Sequence, residues 1–145
     1  MSGRTIEGGC LCGAIRYTGM VDTATTLAVH CHCNDCQRAT GSGGATVVAV
    51  PEASLLLDGS PRRYTVTGLS GGRVHRDFCA RCGSPLLSAA DLSPGLVFIK
   101  AGSLDDSGWL QPAMNCWTSS RPEWAPLDER LPSSPGNPEQ TITAD

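Results

Sequence analysis

The segments Cys10-Leu11-Cys12-Gly13 and Cys79-Ala80-Arg81-Cys82-Gly83 decide the fold of this 145-residue chain. Each segment carries two thiols separated by one or two residues and places a glycine directly after the second thiol. Such spacing lets two sulfurs on one tight turn reach a common point, as tetrahedral zinc requires of its ligands. A disulfide within Cys-x-Cys would instead be strained. The two segments together therefore predict a four-cysteine structural zinc site that joins the N-terminal region to a distant hairpin.

The composition explains why the chain needs such a link. The sequence holds 17 glycines and 10 prolines but few large apolar residues, whereas eight cysteines are unusual for this length. Residues 1–20 contain no basic start followed by an apolar stretch, and no apolar run approaches the length of about 20 residues that spans a bilayer. We therefore expect a cytoplasmic protein with no membrane partner, whose thiols stay reduced and bind metal.

The charge balance excludes one class of partner. The formal net charge is −3 and the sequence isoelectric point is about 5.5, and the basic residues form no long run. Nucleic-acid backbones are bound by clustered cations, so no nucleic-acid partner is expected.

Three further cysteines lie in Cys31-His32-Cys33-Asn34-Asp35-Cys36. A catalytic zinc keeps three protein ligands and leaves one position open, so Cys31, Cys33 and Cys36 predict a second, catalytic zinc. Strand alternation directs His30 and His32 away from these thiols, which favours a packing role for His32. The chain would thus hold two zinc ions, with partial occupancy of the second left open. The alternative is a second closed site completed by a remote residue such as His75 or Cys116.

Period-two patterns dominate the chain and predict a mainly β fold with very short helical turns. The one helix expected covers 34–40, capped by Asn34 or Asp35 and stopped by Gly41. We expect a single zinc-binding domain over residues 1–130 and a mobile tail over 131–145. The predicted strands cover 14–18, 26–33, 45–50, 62–66, 74–79, 85–89 and 96–101.

The sequence leaves open the roles of two residues outside the clusters. Cys116 stands among apolar neighbours, which favours an inert buried thiol over a redox nucleophile. His75 shares a strand face with Cys79, so it lies either beside the first zinc or at the surface as an ordinary imidazole.

Four ordered motifs resemble the glutathione-dependent formaldehyde-activating enzyme family, which includes centromere-protein-V-like proteins. The motifs are GGCLCGAIRY (8–17), CHCNDCQRATGS (31–42), FCARCGSPL (78–86) and KAGSLDD (100–106). The resemblance implies a β-tent zinc fold related to methionine sulfoxide reductase B. It also implies the same division into a four-cysteine structural zinc and a three-cysteine catalytic zinc.

The resemblance further implies a carbon–sulfur lyase similar to S-(hydroxymethyl)glutathione synthase. Such an enzyme joins glutathione or a similar thiol to formaldehyde or a small aldehyde at the catalytic zinc. Gln37, Arg38 and Ser42 are expected to contact substrate, together with Asn115, which stands where many relatives carry histidine. The alternative is a non-catalytic zinc-binding module that binds a small thiol or a protein partner.

Overall fold

The computed structural model describes residues 3–68 and 71–138, which form two β-sheets and one α-helix. This confirms the mainly β fold class. The strands are β1 (Gly3–Gly9), β2 (Arg16–Asp22), β3 (Ala28–Cys31), β4 (Ala45–Pro51), β5 (Leu56–Asp58), β6 (Arg62–Thr67), β7 (Arg73–Phe78), β8 (Pro85–Ala90), β9 (Leu96–Lys100) and β10 (Met114–Cys116). The helix α1 spans Asn34–Thr40, and 3₁₀ turns occupy Glu52–Ser54, Ala101–Ser103 and Thr118–Ser120.

The smaller sheet has the antiparallel order β1-β2-β5, and the larger sheet has the order β10-β3-β4-β9-β8-β7-β6. β10 runs parallel to β3, while the other neighbouring strands of the larger sheet are antiparallel. Alternate residues on the central strands, such as Val48 and Ile99, are fully buried in the main core. Ile6 and Tyr17 of the smaller sheet belong to the same core. The opposite face of the larger sheet carries a second, smaller group of buried residues, among them Val29 and Val47.

Three strands were missed by the sequence pattern. β1 contains three glycines, which weaken the apolar alternation on which strand prediction depends. One of them, Gly8, is required by its neighbours, since a Cβ there would lie 2.3 Å from the Tyr17 hydroxyl. β5 and β10 are only three residues long, too short to show a period.

The helix begins and ends where the sequence predicts, but its N-terminal cap was assigned wrongly. The side chain of Cys33, rather than Asn34 or Asp35, accepts a hydrogen bond from the backbone N–H of Cys36. Gly41 ends the helix in the left-handed region at φ 71°, which favours glycine. No helix in the described ranges combines the length and apolar character needed to cross a bilayer.

The segment after Leu131 lies against β10. Ser133 forms a parallel bridge with Asn115, and Ser134 donates its backbone N–H to the Asn115 carbonyl at 2.8 Å. The backbone N–H of Trp117 is bound by the Gly136 carbonyl at 3.0 Å. Residues 132–137 thus form backbone hydrogen bonds to β10 and to the residues that follow it; the mobility of the tail 131–145 stays a prediction. Residues 139–145 lie outside the described residues.

Candidate metal centres and the adjoining cavity

Four thiols converge between the two sheets to form what we call the first cluster: Cys10, Cys12, Cys79 and Cys82. Their Sγ atoms all lie within 4.8 Å of one another. The Cys10–Cys12 and Cys12–Cys79 sulfur pairs are 3.7 and 3.8 Å apart. Sulfurs placed tetrahedrally at about 2.3 Å from a zinc ion are separated by roughly 3.8 Å, so these distances fit a zinc ion.

Two similar turns present these thiols. Gly13 and Gly83 each follow the second cysteine of a pair with φ 79°, and open space surrounds the position of a Cβ at either glycine. Glycine is therefore required for backbone conformation rather than for room. Backbone N–H groups point at sulfur, from Ile15 to Cys10 at 3.3 Å and from Cys82 to Cys79 at 3.5 Å, which favours thiolate.

Ser84 links the two turns. Its hydroxyl oxygen accepts the Leu11 backbone N–H at 3.0 Å and lies 3.2 Å from the sulfur of Cys82. The hydroxyl oxygen accepts the bond from Leu11, so its O–H remains available to donate to the sulfur of Cys82. This bond and the Ser84 backbone amide lower the pKa of the Cys82 thiol to about 5. Cys82 is therefore already stabilised in the thiolate form that binds metal, whereas its neighbours in the cluster raise the pKa of the Cys12 thiol to about 11.

The second cluster consists of Cys31, Cys33 and Cys36, whose Sγ atoms also lie within 4.8 Å of one another. Cys31 ends β3, Cys33 caps α1 and Cys36 lies in its first turn. Thiol hydrogen bonds from Cys31 and Cys33, followed by the charges of Lys100 and Arg76, lower the pKa of Cys36. The same sharing of protons raises the pKa of Cys31. Three thiols arranged in this way could hold a metal ion, which would complete their deprotonation.

A cavity of about 240 Å³ adjoins the second cluster and contains its three cysteines in its lining. Much of its wall is apolar, with Val29, Val47 and Phe98 contributed by three adjacent strands. Two cations, Lys100 and Arg76, also line it. Burial lowers the pKa of the Lys100 ammonium, while the nearby cysteine sulfurs raise it. The arrangement can bring a small ligand to the cluster against a largely apolar wall.

The four residues expected to contact substrate are not among the described residues that line this cavity. The Gln37 amide donates instead to the backbone carbonyls of His32 and Ser120. Arg38 is exposed, because two residues along a helix turn it to the side opposite Cys36. Ser42 lines a different cavity, of about 400 Å³, beside His32.

Asn115 is fully buried on the side of β10 that faces the C-terminal segment. Its amide donates to the Asp128 carbonyl at 2.9 Å and to the Ser133 hydroxyl at 3.3 Å. The register of β10 with β3 pairs Asn115 with His30 and Cys116 with Cys31. Strand alternation therefore directs Cys116, not Asn115, to the cavity.

The histidines lie apart from both clusters. His32 is buried and its Nδ1 is 2.8 Å from the Gly43 carbonyl oxygen, in keeping with a packing role. His75 contacts Thr65 through Nδ1 and Asp91 through Nε2. Within the described residues, neither His75 nor Cys116 joins the three sulfurs of the second cluster as a fourth ligand.

Lys100 and Arg76 are site residues that the sequence did not indicate. Lys100 is far in sequence from Cys31–Cys36, and Arg76 lies three residues before Cys79 of the other cluster. Only the pairing of β3, β4, β9, β8 and β7 brings both cations to the face of the second cluster. One signal was present: Lys100 is the only lysine in the chain.

The glutathione-dependent formaldehyde-activating enzyme family model matches residues 5–120, which include both clusters and the lysine. The chain belongs to this family. It is 28% identical over 132 residues to a Halomonas elongata protein that is provisionally named a glutathione-dependent formaldehyde-activating enzyme, covering 86% of this chain and 82% of the relative. A crystal structure of a Rhodobacter sphaeroides protein matches with a TM-score of 0.57 at 20% identity, covering 73% of this chain and 91% of the other. That likeness supports the fold.

Proposed function

We propose that this protein is a cytoplasmic zinc-dependent carbon–sulfur lyase that joins glutathione or a similar thiol to formaldehyde or another small aldehyde. The observation that carries the proposal is the second cluster, in which three thiols open onto a cavity lined by two cations. The family name points to the same chemistry.

The roles of the residues follow from this arrangement. Cys31, Cys33 and Cys36 would hold one zinc ion, and the first cluster would hold another for structure. A zinc ion with three protein ligands supplies a Lewis acid and an open position that favours the thiolate form of a bound thiol. The apolar walls of the cavity would lower the local dielectric constant once a ligand fills it and so strengthen electrostatic interactions with the reacting groups.

A rate assay of the purified, zinc-loaded protein with glutathione and formaldehyde tests the proposal. We expect the protein to accelerate formation of S-hydroxymethylglutathione above the spontaneous rate, and Cys33→Ser to abolish the acceleration. Because the first cluster is untouched in Cys33→Ser, that variant should keep its circular dichroism spectrum and about one zinc ion per chain.

The same experiment distinguishes the alternative. Two tightly held zinc ions with no acceleration for any thiol–aldehyde pair would favour a non-catalytic zinc-binding module. Unchanged activity in folded Cys33→Ser would contradict a catalytic role for the second cluster.

A further inference from the structure

Lys100 is a buried cation with no hydrogen-bond acceptor among the described residues. The residue is 8% exposed, yet none of the described residues accepts a hydrogen bond from its ammonium group. The ammonium nitrogen is not among the fully enclosed polar atoms that lack a partner, and the residue lines the cavity of the second cluster as well as a neighbouring one. A buried charge without a partner is costly, and a ligand in the cavity can supply the missing acceptor.

The strand register places Lys100 across the cavity floor from the second cluster. Lys100 pairs with Val47 on β4, and Val47 pairs with Val29 on β3. Cys31 follows Val29 by two residues and therefore shares its face. β3 and β9 are two strand spacings apart, or roughly 10 Å, which leaves room for a few atoms of ligand between a lysine side chain and the thiols.

The surrounding charges favour an anionic oxygen at this position. Arg76 is a second cation on the same floor, and the second cluster is the other charged group that interacts with Lys100. A ligand whose sulfur lies at the second cluster, and whose oxygen is attached to the carbon next to that sulfur, would direct the oxygen toward Lys100 and Arg76. The adduct of a thiol with an aldehyde has this order of atoms.

We propose that Lys100 is a catalytic residue that donates a hydrogen bond to the aldehyde oxygen as that oxygen becomes negatively charged. The inference rests on the proposed function. As the thiolate sulfur forms its bond to the carbonyl carbon, the π electron pair of the carbonyl moves to oxygen. The ammonium group of Lys100 stabilises this oxyanion, which then takes a proton from water to give the S-hydroxymethyl product. The proton that the thiol released on forming the thiolate neutralises the hydroxide left behind.

Kinetics of Lys100→Met, Lys100→Arg and the surface control Arg62→Met test the role. Loss of one oxyanion donor lowers kcat by about 100- to 1000-fold, so we expect Lys100→Met to lose roughly that much with little change in the KM for glutathione. Lys100→Arg keeps the positive charge, and we expect its kcat to exceed that of Lys100→Met by at least about tenfold. Arg62 is exposed and outside the cavity lining, so its variant should match the parent protein.

A binding experiment gives a readout independent of turnover. The single lysine allows the protein labelled with ¹³C-lysine to report one side chain by NMR. We expect S-hydroxymethylglutathione to shift the lysine signal more than S-methylglutathione, which lacks only the hydroxyl oxygen. Lys100→Met should bind the two ligands equally, whereas the parent protein should prefer the hydroxymethyl form.

The outcomes separate the two proposals. Turnover in the parent protein with equal turnover in folded, zinc-loaded Lys100→Met would overturn the role of Lys100 and leave the function standing. Absence of turnover in the parent protein would overturn both. A methyl group trapped on Lys100 by borohydride during turnover would replace the hydrogen-bond role with covalent capture of the aldehyde, and would also overturn this inference.

Discussion

At the scale of single residues, Cys116 is a buried thiol beside the second cluster. It is 2% exposed and lines the cavity of the second cluster. Burial, followed by the charges of Cys36 and Cys33, raises the pKa of the Cys116 thiol to about 11. The thiol form is not the nucleophile, so this environment disfavours a redox role.

We therefore expect Cys116 in the folded, zinc-loaded protein to react with iodoacetamide at pH 8 at least about tenfold more slowly than an ordinary cysteine. Both the small thiolate fraction and the burial contribute to this protection. Mass spectrometry of the peptide that contains Cys116 gives the rate, and the urea-unfolded protein supplies the reference. Alkylation at the reference rate in the folded protein would show that the thiol is accessible and ionised.

At the scale of elements, β10 is held between β3 and the segment 132–137. The strand is only three residues long, so it gains much of its order from the hydrogen bonds on both sides. The outer partner covers Asn115, which is fully buried. It also orders Trp117, whose indole N–H donates to the Asn137 side chain at 2.7 Å.

Two truncations isolate this contribution. A chain that ends at Leu131 loses the backbone hydrogen bonds to Asn115, Trp117 and Thr118, whereas a chain that ends at Pro138 keeps them. Each bond contributes about 0.5–1.5 kcal/mol, so we expect the shorter chain to unfold about 5–10 °C lower at the melting midpoint. Thermal unfolding of the two proteins at equal zinc content gives the comparison. Equal unfolding midpoints would mean that residues 132–137 do not stabilise the protein.

The same elements show what sequence reasoning could and could not reach. Cysteine spacing is local, so the division into two clusters could be predicted from the chain alone. Asn115 was expected at the substrate, but its direction depends on the register of β10 with β3, two segments far apart in sequence. Lys100 was missed for the same reason, because only the pairing of β3, β4 and β9 brings it to the face that carries the cysteines of the second cluster.

At the scale of the whole molecule, the first cluster joins the two sheets. Cys10 and Cys12 follow β1 of the smaller sheet, while Cys79 and Cys82 lie between β7 and β8 of the larger sheet. The second cluster lies instead on the outer face of the larger sheet, near one end of the strand order. A metal ion in the first cluster would thus hold the layers together, and one in the second would not.

The free energy of zinc binding predicts that loss of metal from the first cluster affects folding far more than loss of metal from the second. Structural zinc contributes about 10–16 kcal/mol of apparent binding free energy, comparable with the 5–15 kcal/mol total stability of a typical domain. We therefore expect Cys79→Ser to lose the native circular dichroism spectrum. Cys33→Ser should keep the spectrum with about one zinc ion per chain.

A chelator titration of the parent protein measures the same difference without substitution. Zinc release, followed with a coloured indicator, should occur in two steps, because the second cluster has three protein ligands and the first has four. The first step should leave the circular dichroism signal intact, and the second should coincide with unfolding. A folded protein free of both metals would contradict the structural role of the first cluster, since the core between the sheets would then suffice alone.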